Sequence, residues 1–156
     1  MLIALGCIQN GQPQPSAADA KAGPKASDAD KKCAACALLT EQDVQLMLGA
    51  RVSPGKTNDT TCKWTGADDD KTYLSIRIDD DTHYWPTDLS TFPEYQEAKG
   101  VGKKAFAFRY RDGGYAGMAL TEKQVVMIIM RGGSSSRDAA IDSLRTVLDR
   151  LAKNNK

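Results

Sequence analysis

The stretch KAFAFRYRDGGYAGMALTEKQVVMIIM, residues 104–130, decides the fold of this chain. In residues 104–111 aromatic side chains occupy every second position, which is the period of a β-strand. The Asp-Gly-Gly sequence at 112–114 predicts a tight turn into a second strand over 115–120. Residues 125–130 are continuously apolar, which is typical of a central strand covered on both faces. Consecutive strands with such short connections pair antiparallel.

Helices and further strands flank this run. Thr40, followed by acidic residues, predicts a helix N-cap, and Gly49 ends that helix. Residues 62–64 and 73–78 predict two more strands. The C-terminal stretch predicts a second helix, because its apolar residues recur at helical spacing: Ile141, Leu144, Leu148 and Leu151. We therefore expect an α+β domain over residues 36–156, with an antiparallel sheet of about five strands and two helices packed on one face.

The segment between the second and third predicted strands carries the candidate binding residues. Pro93 is preset for the first position of a helix and predicts a short one after it. Exposed aromatic side chains favour recognition, so binding is predicted at His83, Tyr84, Trp85, Phe92 and Tyr95. The alternative is that Trp85 and Phe92 only cover the end of the sheet. Phe106 and Phe108 are expected to face the core rather than to stack on RNA bases, because no second aromatic strand motif is present.

The N-terminal residues predict attachment to a membrane. Gly6 before Cys7 resembles the end of a bacterial lipobox, although a complete signal has a basic start and a longer apolar stretch. We therefore expect residues 1–7 to be a truncated signal remnant, with the true start upstream; the alternative is an apolar terminus with a cysteine by chance. The composition of residues 8–35 predicts a flexible linker. The prediction is an exported domain, attached by lipid on Cys7 to the outer face of a bacterial membrane in the cell envelope.

Charge and motif content restrict the function classes. The chain has 21 basic and 20 acidic residues, and the predicted domain has 17 of each, which argues against nucleic acid as a partner. His83 is the single histidine, and no hydrolase, zinc-protease or phosphate-loop motif occurs. The domain is therefore predicted to be non-enzymatic, with no catalytic residues, no metal and no cofactor. Gly132 and Gly133 are interpreted as positions that need a permissive backbone.

The four cysteines leave several interpretations open. If Cys7 carries lipid, the other three form one disulfide and leave one thiol. The Cys33-x-x-Cys36 spacing also fits a thiol-disulfide-active site, although such sites follow a strand at a helix N-terminus. A zinc site would take Cys33, Cys36, Cys62 and His83, but zinc is disfavoured in an oxidising compartment.

Three short motifs, spread over most of residues 36–153, support a family resemblance. They are Cys36-Ala-Leu-Leu-Thr40, Cys62-Lys-Trp64 and Gly100-Val-Gly-Lys-Lys-Ala-Phe106. The pattern resembles an uncharacterised bacterial lipoprotein family, best populated in actinobacteria. The resemblance implies an exported, lipid-anchored α+β domain with a disulfide between Cys36 and Cys62, and it implies no known activity. Cys33 is additional to the family pattern and is a possible free thiol.

Two functions are consistent with these observations. The first is a non-enzymatic extracytoplasmic domain that binds a partner protein, an envelope component or a small ligand. The second is a thiol-disulfide-active envelope protein that uses Cys33-x-x-Cys36.

Overall fold

Seven antiparallel strands form one sheet in the computed structural model, which describes residues 35–58 and 60–154. The order across the sheet is β1-β2-β3-β7-β6-β5-β4. The elements are α1 (Glu41–Leu48), β1 (Lys56–Asn58), β2 (Thr61–Thr65), β3 (Tyr73–Asp79), β4 (Gln96–Glu97), β5 (Lys104–Arg109), β6 (Tyr115–Leu120), β7 (Val125–Arg131) and α2 (Arg137–Asn154). The predicted α+β class is confirmed.

The predicted count of about five strands is wrong, because the sheet has seven. The two extra strands are its edges: β1 pairs with β2, and β4 pairs with β5. All three residues of β1 are exposed, and β4 has only two residues. Neither strand carries an apolar alternation, so the sequence held no periodic signal for them.

The short helix predicted after Pro93 is absent from the described residues. The chain instead turns at Glu94, whose φ of 52° lies in the left-handed region. It then enters β4, where Gln96 pairs with Ala107. A left-handed residue directly after the proline prevents helix propagation.

Helix α1 begins and ends where the sequence predicts. The Thr40 hydroxyl accepts a hydrogen bond from the Asp43 backbone N–H at 3.2 Å, and the Thr40 N–H donates to the Asp43 carboxylate at 2.7 Å. These reciprocal bonds form a capping box. Gly49 closes the helix with a left-handed φ of 65°.

Helix α2 begins after Ser136, whose hydroxyl accepts a hydrogen bond from the Ala139 N–H at 3.1 Å. The helix approaches β6 closely at Gly117. A Cβ atom at this position would lie 2.7 Å from the Leu144 side chain and 3.2 Å from the Ala140 carbonyl oxygen. Any Cβ at this position would force the Leu144 side chain or the helix backbone at Ala140 to shift, so the glycine permits this close approach.

Side chains that alternate along the strands enter two separate cores. The major core joins α1 and α2 to one set of strand positions. Its members include Val44, Leu48, Trp64, Leu74, Ile76, Ile128, Ala140 and Leu144. The aromatic core takes the intervening positions of the central strands. Its buried members are Phe106, Phe108, Ala116, Met118 and Val125.

Two long-range links connect the major core to the segments around it. Cys36 and Cys62 are joined by a disulfide with a Cα–Cα distance of 5.1 Å, in agreement with the pairing that the resemblance implies. Arg150 of α2 donates to both carboxylate oxygens of Asp43, at 2.6 and 2.8 Å, and to the Leu38 carbonyl at 2.8 Å. These links fix the positions of α1, α2 and the segment before α1 relative to one another.

Several predictions concern residues that lie outside the described part of the chain. They are the signal remnant at residues 1–7 with Cys7, the linker up to residue 34, and Cys33. Within the described ranges, no helix combines the length and the apolar character that a membrane crossing requires.

Candidate functional site

Residues 80–95, here called the crossing loop, connect strands that lie far apart in the sheet. β3 and β4 are separated by β7, β6 and β5, so the chain has to pass across these three strands to reach its next pairing partner. At its start, the Gln124 side-chain amide donates to the Asp80 carboxylate at 2.8 Å. At its end, the Arg109 N–H donates to the Pro93 carbonyl at 2.8 Å. The loop is therefore fixed at its start to the β6–β7 turn and at its end to β5.

Phe106 organises the contact between the crossing loop and the sheet. Its ring is fully buried, and the ring centroids of Trp85, Phe92 and Tyr95 lie 5.4, 5.0 and 5.2 Å from its own. Phe92 also contacts Phe108 at 4.6 Å. Aromatic contacts of this kind stabilise the fold beyond the contribution of the buried apolar area. The expected burial of Phe106 and Phe108 is confirmed.

The predicted binding residues occupy two different environments. Trp85 and Phe92 are half-buried against the aromatic core, as the covering interpretation expected. Tyr84 is 57% exposed, with the Arg77 guanidinium 5.1 Å from its ring centroid. Tyr95 is 40% exposed. The structure thus brings Trp85, Phe92 and Tyr95 together around Phe106, and a binding role for the five residues stays a prediction.

His83 has a carboxylate partner that no sequence motif predicts. Its Nδ1 lies 2.6 Å from the Asp81 carboxylate, and its backbone N–H donates to the same oxygen at 2.9 Å. These bonds hold the pKa of Asp81 below its usual value, the backbone bond first. The His83 side chain is 93% exposed. Asp81 caps the short 3-10 helix Thr82–Tyr84, so the pair serves to form a turn.

A groove of about 540 Å³ lies between the end of the crossing loop and the β5–β6 turn. Buried Phe108 and Met118 line its interior, and exposed Arg109 and Arg111 lie at its rim. The remaining lining residues are Thr91, Phe92, Pro93, Tyr110 and Met127. Such volumes are within the range of about 300–1,000 Å³ typical of small-molecule sites. We call this cavity the aromatic groove.

Of these lining residues, only Phe92 is among the binding residues predicted from the sequence. Met118 belongs to β6 and Met127 to β7, and the two are directly paired across the sheet. Their convergence with Phe108 depends on strand register, which no local pattern reports. Alternation along residues 104–111 does place Phe108 and Tyr110 on one face, and this was the available signal.

Glu94 holds a strained backbone conformation at the border of the aromatic groove. It is the non-glycine residue with positive φ among those described. Its carboxylate accepts a hydrogen bond from Arg109 at 3.3 Å, and its carbonyl accepts one from Arg137 at 3.3 Å. Strain of this kind costs about 1–3 kcal/mol and recurs at functional sites. Through these two bonds, Glu94 links the crossing loop to β5 and to the first residue of α2.

Two other grooves differ in chemistry from the aromatic groove. One, of about 590 Å³, lies between β4 and α2 and is lined by charged residues including Asp138, Asp142 and Arg145. The other, of about 600 Å³, lies between α2 and the β6–β7 turn and includes Glu122 and Lys123. Neither contains an aromatic residue. The aromatic groove is therefore the best candidate for binding an apolar ligand.

Asp68, Asp69 and the cysteines at positions 36 and 62 are engaged in structural contacts. Asp68 pairs with Arg51 at 2.9 Å, and the Lys71 N–H and the Thr72 hydroxyl donate to Asp69 and lower its pKa. Among residues 35–58 and 60–154, no cluster of three metal-ligating side chains occurs. A zinc site with Cys36 and Cys62 would need thiolates, whereas these two sulfur atoms form a disulfide.

Comparisons with known proteins leave the family open. The chain matches no protein-family model, no curated protein and no solved structure.

Proposed function

We propose that this chain is an exported, lipid-anchored, non-enzymatic domain of the uncharacterised bacterial lipoprotein family, and that it binds a ligand in the aromatic groove. The observation that carries the proposal is the groove itself. Apolar side chains from the crossing loop, β5, β6 and β7 converge on a volume of about 540 Å³. A pocket with mostly apolar lining and a few polar groups is the usual form of a small-molecule site.

The disulfide supports the proposed location. Disulfides persist in oxidising compartments and are rare in the cytosol, and Cys36 is bonded to Cys62. Lipid on Cys7 and the linker over residues 8–35 would place the domain near the outer face of a bacterial membrane. An envelope component or a partner protein could present the ligand group there.

We also propose that both helices pack on one face of the sheet. Val44 and Leu48 of α1 share the major core with Ala140 and Leu144 of α2. The close approach of Leu144 to Gly117 supports a position of α2 over β6. This arrangement leaves the opposite face to the crossing loop.

The test of the groove uses the full chain and the neutral fluorescent probe N-phenyl-1-naphthylamine. We expect saturable binding. Met127→Lys places a charge in the groove and should weaken binding at least about tenfold, because burial of an unpaired charge is costly. Leu46→Lys is the matched control, since Leu46 is 77% exposed on α1. Equal binding by both variants, or no saturable binding, would contradict the proposal.

Thiol counting by mass spectrometry separates this function from the thiol-active alternative. In the non-reduced chain we expect the Cys36–Cys62 bond and a Cys33 that alkylates freely. With Cys36 bonded to Cys62, it is not available to Cys33. A reducible Cys33–Cys36 pair would instead favour the thiol-disulfide-active function.

A further inference from the structure

Two arginines, Arg109 and Arg111, belong to the lining of the aromatic groove. Among the lining side chains that the structure describes, none is acidic. The Arg109 guanidinium is bonded to the Glu94 carboxylate at 3.3 Å. It lies on the face of the sheet opposite Phe108, because neighbouring residues of β5 point to opposite faces.

The two arginines differ in their freedom to meet a ligand. Arg109 lies 3.5 Å from the Tyr115 hydroxyl and 5.7 Å from the centroid of its ring, in addition to its bond to Glu94. Arg111 begins the short 3-10 helix Arg111–Gly113 in the β5–β6 turn and is exposed. Among the side chains that the structure describes, none forms an ion pair or a hydrogen bond with that of Arg111. Arg111 is thus the cation available at the rim.

The interior of the groove favours flat, apolar groups. Phe92 and Phe108 provide ring surfaces, with their centroids 4.6 Å apart, and Tyr110 extends the row, 6.3 Å from Phe108. Met118 and Met127 complete the lining. Methionine side chains adapt to aromatic guests and make favourable sulfur–ring contacts. A ligand whose aromatic ring lies in the groove would have its polar group at the rim.

From this combination we propose that the ligand of the aromatic groove is a small aromatic acid, whose ring packs against Phe92, Phe108 and the methionines and whose anionic group pairs with Arg111. The inference rests on the proposed function and specifies its ligand class. A planar guanidinium donates two parallel hydrogen bonds to a carboxylate or sulfonate. The volume of about 540 Å³ limits the ligand to a small molecule.

A pair of probes that differ by one anionic group tests the role of Arg111. 1-Anilinonaphthalene-8-sulfonate has the ring system of N-phenyl-1-naphthylamine plus a sulfonate. We expect the sulfonate probe to bind at least about tenfold tighter, as for a charge-assisted hydrogen bond. Arg111→Gln should abolish this preference and leave the neutral probe unaffected. Arg145→Gln on α2 is the matched control, and should leave the preference intact.

The outcomes separate the two proposals. If the neutral probe binds in a Met127-dependent manner but the sulfonate adds no affinity, or if Arg111→Gln preserves the preference, the aromatic-acid assignment is wrong and the groove remains a binding site. If neither probe binds saturably, both proposals fail.

Competition for the sulfonate probe tests whether the apolar part of the ligand is aromatic or aliphatic. We expect 1-naphthoate to displace the sulfonate probe at a lower concentration than decanoate, because ring surfaces line the groove. The reverse order would overturn the aromatic part of the assignment in favour of an aliphatic acid.

Discussion

The major core and the aromatic core share the same central strands but are covered in different ways. In the major core, α2 approaches β6 closely at Gly117, where a Cβ would contact Leu144, and Leu144 is fully buried. In the aromatic core, the covering residues Trp85, Leu89 and Phe92 are only half-buried. Close packing of helices favours stability, whereas a loop held at its ends leaves a groove. Binding residues are often carried by loops on such a rigid scaffold.

Matched leucine truncations should reveal the largest difference between the two cores. Leu144→Ala removes a fully buried side chain of the major core and should cost about 3–5 kcal/mol of the free energy of unfolding. Leu89→Ala removes a half-buried side chain of the crossing loop and should cost about 1 kcal/mol. Urea denaturation of the disulfide-bonded chain measures both. Equal losses would show that the loop carries as much of the fold as α2 does.

The bond between Asp43 and Arg150 should make the stability of the major core depend on pH. The Arg150 guanidinium holds the pKa of the Asp43 carboxyl well below its usual range. A lowered pKa in the folded state contributes stability that is fully present above about pH 5 and is lost as the pH falls through and below about 4. Asp43→Asn should cost about 1–2 kcal/mol at pH 7, a moderate value because both side chains are partly exposed.

Denaturation at pH 7 and at pH 2 tests this bond. The difference between the wild-type chain and Asp43→Asn should shrink as the pH falls. Asp142→Asn is the control, because it removes an exposed pair with Arg145 and should change stability by less than about 0.5 kcal/mol. A constant difference between wild type and Asp43→Asn at both pH values would argue against the bond as a source of acid sensitivity.

A small change in stability is expected at the border of the aromatic groove. Glu94→Gly relieves a left-handed conformation that costs about 1–2 kcal/mol, but it loses an exposed ion pair worth about 0–1 kcal/mol. The free energy of unfolding should therefore change by less than about 1 kcal/mol. A loss of more than about 2 kcal/mol would assign Glu94 to the fold instead.

Periodic sequence patterns predicted the centre of the sheet and the helix ends. The apolar run at 125–130 became β7, the fourth of seven strands, and Thr40 and Gly49 cap α1. The edge strands β1 and β4 carry no such pattern and were missed. Pro93 predicted a helix that the left-handed Glu94 prevents.

The aromatic groove could be predicted only in part. Alternation placed Phe106 and Phe108 on a common, buried face, and the loop aromatics were identified as candidates. Which strands the loop crosses depends on the order of strands in the sheet, since β3 pairs with β7 rather than with the next strand in sequence. The partnership of His83 with Asp81 was missed because it depends on a short 3-10 turn.

Amide NMR during titration with 1-anilinonaphthalene-8-sulfonate tests most directly whether the fold and the binding site are divided between the two cores. The account predicts that the largest shift changes occur at Phe92, Phe108, Arg111 and Met127, with little change over Arg137–Asn154. Shift changes concentrated in α2, with none at the aromatic groove, would contradict it.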